Sequence, residues 1–446
     1  MNNPLFTKKQ VYNLIIPLIM EQLLMAAVGM FDVIMVSGLG EYAISAVSLV
    51  DFINQLINSA LTAFSTGGAI LCSQYIGKKR AKDAADAVQH LAMLVLILGL
   101  GLMAAAFWGN RRILGLLYGS IEPQVMENAQ IYFWLSGISY PFIALFCCSA
   151  AIMRALGYTR LSFKASLVMN LMNIVMNAIF IFGLGWGVFG AGFASLLSRA
   201  AVSVFLFFMV LKGQTILPVP SPLQWRFTRR RAAAVFNLSV PTTLESSMFY
   251  IGRLLVQSLV TSFGTSAIAA NAVSLTVTEF LHMPGAGAGI GMITIVGQCI
   301  GAGEKEQARR YSVYLIRLVY ILQGICCVLS MLFASLIGDL YNLTDATKEI
   351  AVWMFLTHGV VCTLIWPMGF TTTNALKAAG DVRFTMVMSF AVMWIFRVGG
   401  SYFLVWLFPE LGVKCVWIAM YCDWLFRAIA CFLRFRGEAW LCKGVK

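Results

Sequence analysis

The sequence predicts an all-α polytopic membrane protein, with twelve transmembrane helices in two pseudo-symmetric six-helix bundles. Three observations carry that expectation. Of 446 residues, 60% are hydrophobic and only 11% charged, with a mean hydropathy of +0.83; an ordinary soluble domain carries roughly 25% charged residues. Apolar stretches long enough to cross a bilayer, about 20 residues each, recur twelve times, without the period-two alternation of a membrane barrel. The chain also contains itself twice. At an offset of 224 residues, Pro17, Glu21, Gly40, Ala43, Ile44, Ala46, Gly67, Gln74, Ile76, Gly77 and Ala84 meet Pro241, Glu245, Gly264, Ala267, Ile268, Ala270, Gly291, Gln298, Ile300, Gly301 and Ala308. Repeats of this kind place a binding site at their interface in many transporters.

The twelve stretches lie near 11–38, 46–72, 88–109, 128–150, 163–185, 189–211, 235–262, 269–298, 312–337, 350–374, 385–408 and 413–435. Lys8 and Lys9 lead directly into the first, with no small-residue cleavage site behind a short apolar core, so no cleavable signal is expected. Between the sixth and seventh, Pro218, Pro220 and Pro222 precede Arg229, Arg230 and Arg231. Proline spaced this tightly blocks helix and favours an extended linker. The expected division is a lobe at 1–212, a cytoplasmic linker at 213–231 and a second lobe at 232–446. Pro17, Pro141, Pro241, Pro284 and Pro367 interrupt or edge individual spans, as membrane helices tolerate where neighbours or cavity water satisfy the freed carbonyls. No G-x-x-x-x-G-K-[ST] phosphate loop occurs, which excludes a single-chain ATP-driven pump. Nothing assembles a nucleophile, base and oxyanion donors, so the chain is not expected to be an enzyme.

The net charge of +13 is distributed as lipid demands rather than as nucleic acid would. With both termini on one side, 25 of the 32 Lys and Arg fall on that side; Arg111, Arg112, Lys348 and Lys414 fall opposite, and Arg199, Arg253 and Arg397 lie in spans. Basic loops stay in the cytoplasm. Both termini are therefore expected in the cytoplasm of a bacterium, the chain in its inner membrane, and the basic loops against anionic headgroups. The eleven cysteines, such as Cys147, Cys148, Cys326 and Cys327, lack metal-ligand spacing and read as small packing groups. No cofactor is expected, and a monomer is.

Ionisable side chains in spans are costly and call for a reason. The first stretch has Glu21 about 15 Å and Asp32 about 31 Å along from Val11, nearly on one face. The second carries Asp51, Asn54, Gln55 and Asn58 as one polar stripe. Their counterparts at offset 224 are Leu275, Thr278, Glu279 and His282. Glu279 and His282, three apart, can meet on one helical face, and histidine relays protons near neutral pH. Glu245 repeats Glu21, with Arg253 two turns on as a candidate counter-ion. Asn170, Asn173 and Asn177 supply neutral oxygens in the fifth stretch, suited to Na⁺ or to hydrogen bonds with a carboxylate. His358 reads as structural. Acids then outnumber bases in the spans, which favours lipophilic cations in a cavity walled by Met and aromatic residues. The coupling ion is expected to be H⁺ or Na⁺, the only metal considered being Na⁺ at Asp32.

Several ordered segments resemble the multidrug and toxic compound extrusion (MATE) transporters. They are Pro17 with Asp32-Val-Ile-Met-Val-Ser-Gly-Leu-Gly40, Gln74-Tyr-Ile-Gly77, Arg154-Ala-Leu-Gly157, Asn173-Ile-Val-Met-Asn177 and Gly187-Val-Phe-Gly-Ala191, repeated later by Gln298-Cys-Ile-Gly-Ala-Gly303 and Lys377-Ala-Ala-Gly-Asp381. The resemblance implies two six-helix bundles around a V-shaped central cavity, exporting organic cations in exchange for H⁺ or Na⁺. In one branch of the family a helix-1 aspartate and polar helix-5 residues form the ion-responsive site, and Asp32, Asn173 and Asn177 stand there. Asn177 departs from the second aspartate common in that branch. Another branch uses acids of helices 7 and 10, where this chain has Phe249 and Phe370.

The expected function is thus export of small amphipathic, cationic compounds by ion-coupled antiport. Ion-coupling falls to Asp32, Asn173 and Asn177, and the substrate cavity to Glu21, Asp51, Asn54, Asn58, Glu245, Glu279 and His282. The rival is a lipid-linked oligosaccharide flippase or polysaccharide exporter of related helical plan, which the scarcity of Lys and Arg in spans disfavours.

Overall fold

The computed structural model describes residues 4–119, 122–212, 217–220, 222–341 and 343–444, with the side chains of 27–34, 36, 37 and 223 outside the description. Among the described residues there is no strand. Twelve helical rods follow one another: α1 (Lys8–Ser37), α2 (Glu41–Gly77), α3 (Ala81–Tyr118), α4 (Pro123–Ala155), α5 (Thr159–Gly183), α6 (Gly187–Leu211), α7 (Arg229–Val260), α8 (Thr265–Gly301), α9 (Lys305–Leu332), α10 (Asp345–Ala378), α11 (Val382–Leu407) and α12 (Val413–Arg436). A short helix, Ala334–Leu340, follows α9. Ten of the twelve are long and apolar enough to cross a membrane by length and composition, counted over the described residues. The other two are α1 and α7, and α7 opens on three arginines. Leu116, Trp108, Trp406 and Leu332 are exposed on the surface, the outward apolar dressing a bilayer requires. The chain is a multi-pass membrane protein.

The repeat reaches the backbone. Helices α2 and α8 start and end 224 residues apart, at Glu41 and Thr265 and at Gly77 and Gly301. Each is preceded by a glycine with positive φ, Gly40 at 97° and Gly264 at 87°, a conformation that a Cβ disfavours. After α4 and α10, Gly157 (φ 88°) and Gly380 (φ 94°) repeat the device one register on.

Two compact units result, one of residues 23–243, the other of 1–22 with 244–446. Helices α1 and α7 each pass from one unit to the other a few residues beyond equivalent prolines, Pro17 and Pro241. In the first unit α4 is central, packed by α2, α3 and α6. Its buried Ala144, Cys147, Cys148, Ser149, Ala150 and Ala151 let neighbouring backbones approach. In the second unit α8 takes that place, its Gly285, Gly287, Ala288, Gly289 and Gly291 all buried. A Cβ at Gly287 would fall 2.7 Å from the Cα of Ile19 in α1. Among the described residues, three rods contain wider π-helical turns, at Ala178–Gly183 in α5, Pro367–Thr371 in α10 and Met393–Gly399 in α11. Such turns recur at functional sites.

The stretch before α7 is docked rather than simply extended. It includes a short 3-10 turn, Pro222–Gln224, and is pinned to α3. The Thr228 N–H donates to His90 Nε2 at 3.0 Å, and Gln89 donates to the Arg226 carbonyl at 2.9 Å. Arg231 pairs with Asp86 and Asp83.

Candidate functional site

In the first unit, the polar stripe of α2 faces α4. Asn54 Nδ2 donates to Asp51 Oδ1 at 3.3 Å and to Ser136 Oγ at 3.2 Å, and Tyr140 donates its hydroxyl to Asn54 Oδ1 at 3.0 Å. Tyr132 reaches Asp51 Oδ1 at 3.4 Å. Arg199 of α6 donates to Ser139 Oγ at 2.8 Å and acts electrostatically on Asp51. Lower on the stripe, Cys147 approaches Asn58 Oδ1 at 3.8 Å, while Gln55 is exposed. In α5, Asn177 Nδ2 donates to Asn173 Oδ1 at 3.2 Å and Asn173 Nδ2 to Ser195 Oγ at 3.1 Å. The expected asparagine pair is thus brought together just before the π-helical turn of α5. The side chain of Asp32, the remaining member of that expected site, lies outside the described residues.

The second unit holds a denser set of charges. Glu245 of α7 is buried, takes an ion pair from Lys377 Nζ at 3.0 Å, and accepts hydrogen bonds from Thr385 at 3.2 Å and Ser389 at 3.0 Å. Arg427 donates to the same Ser389 Oγ at 2.7 Å and faces Asp423 Oδ1 at 3.6 Å. Arg397 meets Asp423 Oδ2 at 3.7 Å. Arg397 lies over the Phe249 ring and Arg427 over Phe370, so both aromatics carry guanidinium partners. Glu21 is buried in this unit as well.

Three expectations need correction. Arg253 does not neutralise Glu245; its guanidinium reaches Glu279 at 3.2 Å, and Lys377 neutralises Glu245 instead. Glu279, engaged with Arg253, does not pair with His282, which stacks on Trp366 at 4.9 Å and 6°. Lys377 and Arg427 sit within α10 and α12, and Arg427 is 3% exposed. The interior acids of this unit are therefore matched by bases rather than in excess. The ring of His358 lies 5.2 Å from that of His282. Asp423 was legible but missed, an acid four residues before Arg427 inside an apolar stretch.

The pair Arg253 and Glu279 has a distinct setting. Their side chains are 35% and 57% exposed. Glu279 stands near the middle of α8, at the position equivalent to the exposed Gln55 of α2. An exposed ion pair at that depth belongs against water or a ligand rather than hydrocarbon. Such a face can bind a charged or zwitterionic amphiphile.

Comparison with known proteins gives a consistent picture. The MatE family model matches residues 17–179 and 241–403, one copy in each half. The chain is 24% identical to the uncharacterized transporter YisQ of Bacillus subtilis over 97% of this chain and 95% of that protein. It is 25% identical to the probable multidrug resistance protein NorM of Thermotoga maritima, over 97% and 93%. Among solved structures, an outward-facing multidrug resistance MATE family transporter of the MOP superfamily superposes with a TM-score of 0.89 at 22% identity, covering 96% of this chain and 95% of that one. A MOP superfamily transporter from Pyrococcus furiosus, whose reversed binding-pocket polarity suggests a different function, matches with the same TM-score, identity and coverage.

Proposed function

The chain belongs to the MatE family, the multidrug and toxic compound extrusion transporters, and from that premise we propose that it is a secondary active antiporter exporting amphipathic, cationic compounds in exchange for H⁺ or Na⁺. It is a transporter and not an enzyme. The observation that carries the reading is the exposed carboxylate of Glu279 at mid-helix depth, matched by Gln55 in the repeat. A cation in a poorly hydrated cavity gains far more from such a carboxylate than it would in bulk water. Coupling assigns the ion to Asp32 with Asn173 and Asn177, and substrate contact to Glu21, Asp51, Asn54, Asn58, Glu245, Glu279 and His282. Ion binding must favour one access state over the other, since an ion bound equally by both drives nothing.

The setting is the bacterial inner membrane, both termini cytoplasmic and the chain a monomer. A groove of about 350 Å³ on α9, lined by Glu306, Arg309, Arg310, Val313, Tyr314 and Arg317, carries three arginines to one glutamate and suits anionic headgroups on the cytoplasmic side. The test is dye efflux from vesicles under imposed pH or Na⁺ gradients. Asp32→Asn should abolish gradient-driven efflux in a folded, inserted protein, and undiminished efflux in that variant refutes the coupling role.

A second reading rests on Arg253, over a third exposed beside Glu279. A cation on that face suits the pyrophosphate of a lipid-linked oligosaccharide, as in a flippase or polysaccharide exporter. Transport of such lipids without gradient-driven dye efflux would favour it.

A further inference from the structure

We propose that His282, His358 and Cys362 form a binding site for a soft monovalent metal ion, Cu⁺, between α8 and α10. One ligand atom from each, a ring nitrogen or the Cys362 sulfur, lies within 4.8 Å of the other two. His358 is 1% exposed, and Cys362 is fully buried.

The cluster holds lone pairs with nothing to bind. His282 Nε2, His358 Nδ1 and His358 Nε2 are buried and have no hydrogen-bond partner among the described residues. A neutral imidazole carries one acceptor nitrogen, and burying it unpaired is unfavourable. Gln323 donates to Cys362 Sγ at 2.9 Å, which holds the sulfur as an acceptor. Cys327 lies within hydrogen-bonding reach of Cys362, so a further sulfur is adjacent. Aromatic rings wall the cluster: Trp366 stacks on His282, Trp424 meets both histidines edge-on, and Trp417 meets His358 at 5.6 Å.

The donor set and the surrounding charge select the ion. Imidazole with thiolate suits a soft metal and not Na⁺ or Mg²⁺. Arg253 and Arg397 act electrostatically on His282, and each already has an acid, Glu279 and Asp423. A dication would add positive charge to this region. A monocation that displaces the Cys362 proton adds none, because Cu⁺ and the thiolate cancel and the proton leaves to solvent. His282 lies two residues before Pro284, and Cys362 five before Pro367, where the π-helical turn of α10 begins. A bound ion would therefore clip α8 to α10 beside both bends.

The test uses the full-length protein in detergent, with Ag⁺ as a redox-stable probe, bound metal measured after dialysis and unfolding followed by tryptophan fluorescence. Ag⁺ should raise the unfolding midpoint of the wild type, since a ligand that binds only the folded state stabilises it. Cys362→Ser and His358→Gln should each bind one equivalent fewer and lose the shift, while Cys442→Ser, at an exposed thiol, should lose metal without losing the shift. Zn²⁺ should give no shift. Should the variants fail to fold, X-ray absorption of the Cu⁺-loaded wild type decides: mixed nitrogen and sulfur ligation supports the site, and sulfur-only ligation overturns it. Equal Ag⁺ binding and equal shifts in wild type and both variants, or an equal shift with Zn²⁺, also overturn it.

Discussion

Ser239 of α7 lies directly against Gly67 of α2: a Cβ on the glycine would fall 2.3 Å from the Ser239 Cα, and the Ser239 hydroxyl donates to the Phe64 carbonyl at 2.7 Å. The contact has its repeat counterpart at offset 224, where Gly291 of α8 packs on Ile15 of α1 at 3.1 Å. Each half thus uses a missing side chain on its second helix to seat the opening turns of α7 or α1.

Gly67→Ala should destabilise the protein by about 1–3 kcal/mol, because backbone rather than a flexible side chain must move. Gly115→Ala, with nothing within 4 Å of the added methyl, should be neutral or stabilising by up to about 1 kcal/mol. Unfolding midpoints of the two variants in one detergent check the contrast.

Among the described residues Lys79 is the non-glycine residue with positive φ, 57°, and its repeat partner Gly303 has φ 81°. The left-handed conformation costs an L-residue about 1–2 kcal/mol. Lys79→Gly should therefore raise stability slightly, and Gly303→Ala should lower it. Opposite signs in thermal unfolding are the expected outcome; matching signs would mean the turn is held by something other than backbone strain.

Lys377→Met should destabilise by about 3–5 kcal/mol, since it leaves Glu245 charged and buried without its partner. Adding Glu245→Gln should restore part of that loss. A double-mutant cycle on unfolding free energy measures the coupling, and additive losses would show that the 3.0 Å pair contributes nothing of its own.

Glu279→Gln should weaken export of cationic substrates more than of neutral ones, by about tenfold for each 1.4 kcal/mol of lost attraction. The carboxylate is 57% exposed, so folding should survive the change. Losses equal for both substrate classes, tracking protein level, would make the Arg253 pair a structural one.

The sequence by itself determined the helical class, the two-fold repeat and its register. Those features are local or periodic: apolar length, a glycine wherever the chain needs positive φ, and an offset that Gly40 and Gly264 keep in the backbone. It also placed Asn173 beside Asn177, because four residues make just over one helical turn. What only the tertiary structure decided is which charge meets which. Arg253 chose Glu279 over Glu245, Lys377 and Arg427 turned inward, and His282 met His358 from 76 residues away. Hydropathy averages a helix around its axis, whereas an ion pair depends on how each helix is rotated against its neighbours. That rotation is set by packing across distant segments, such as the fit of Gly287 against Ile19, and no single stretch of the chain carries it.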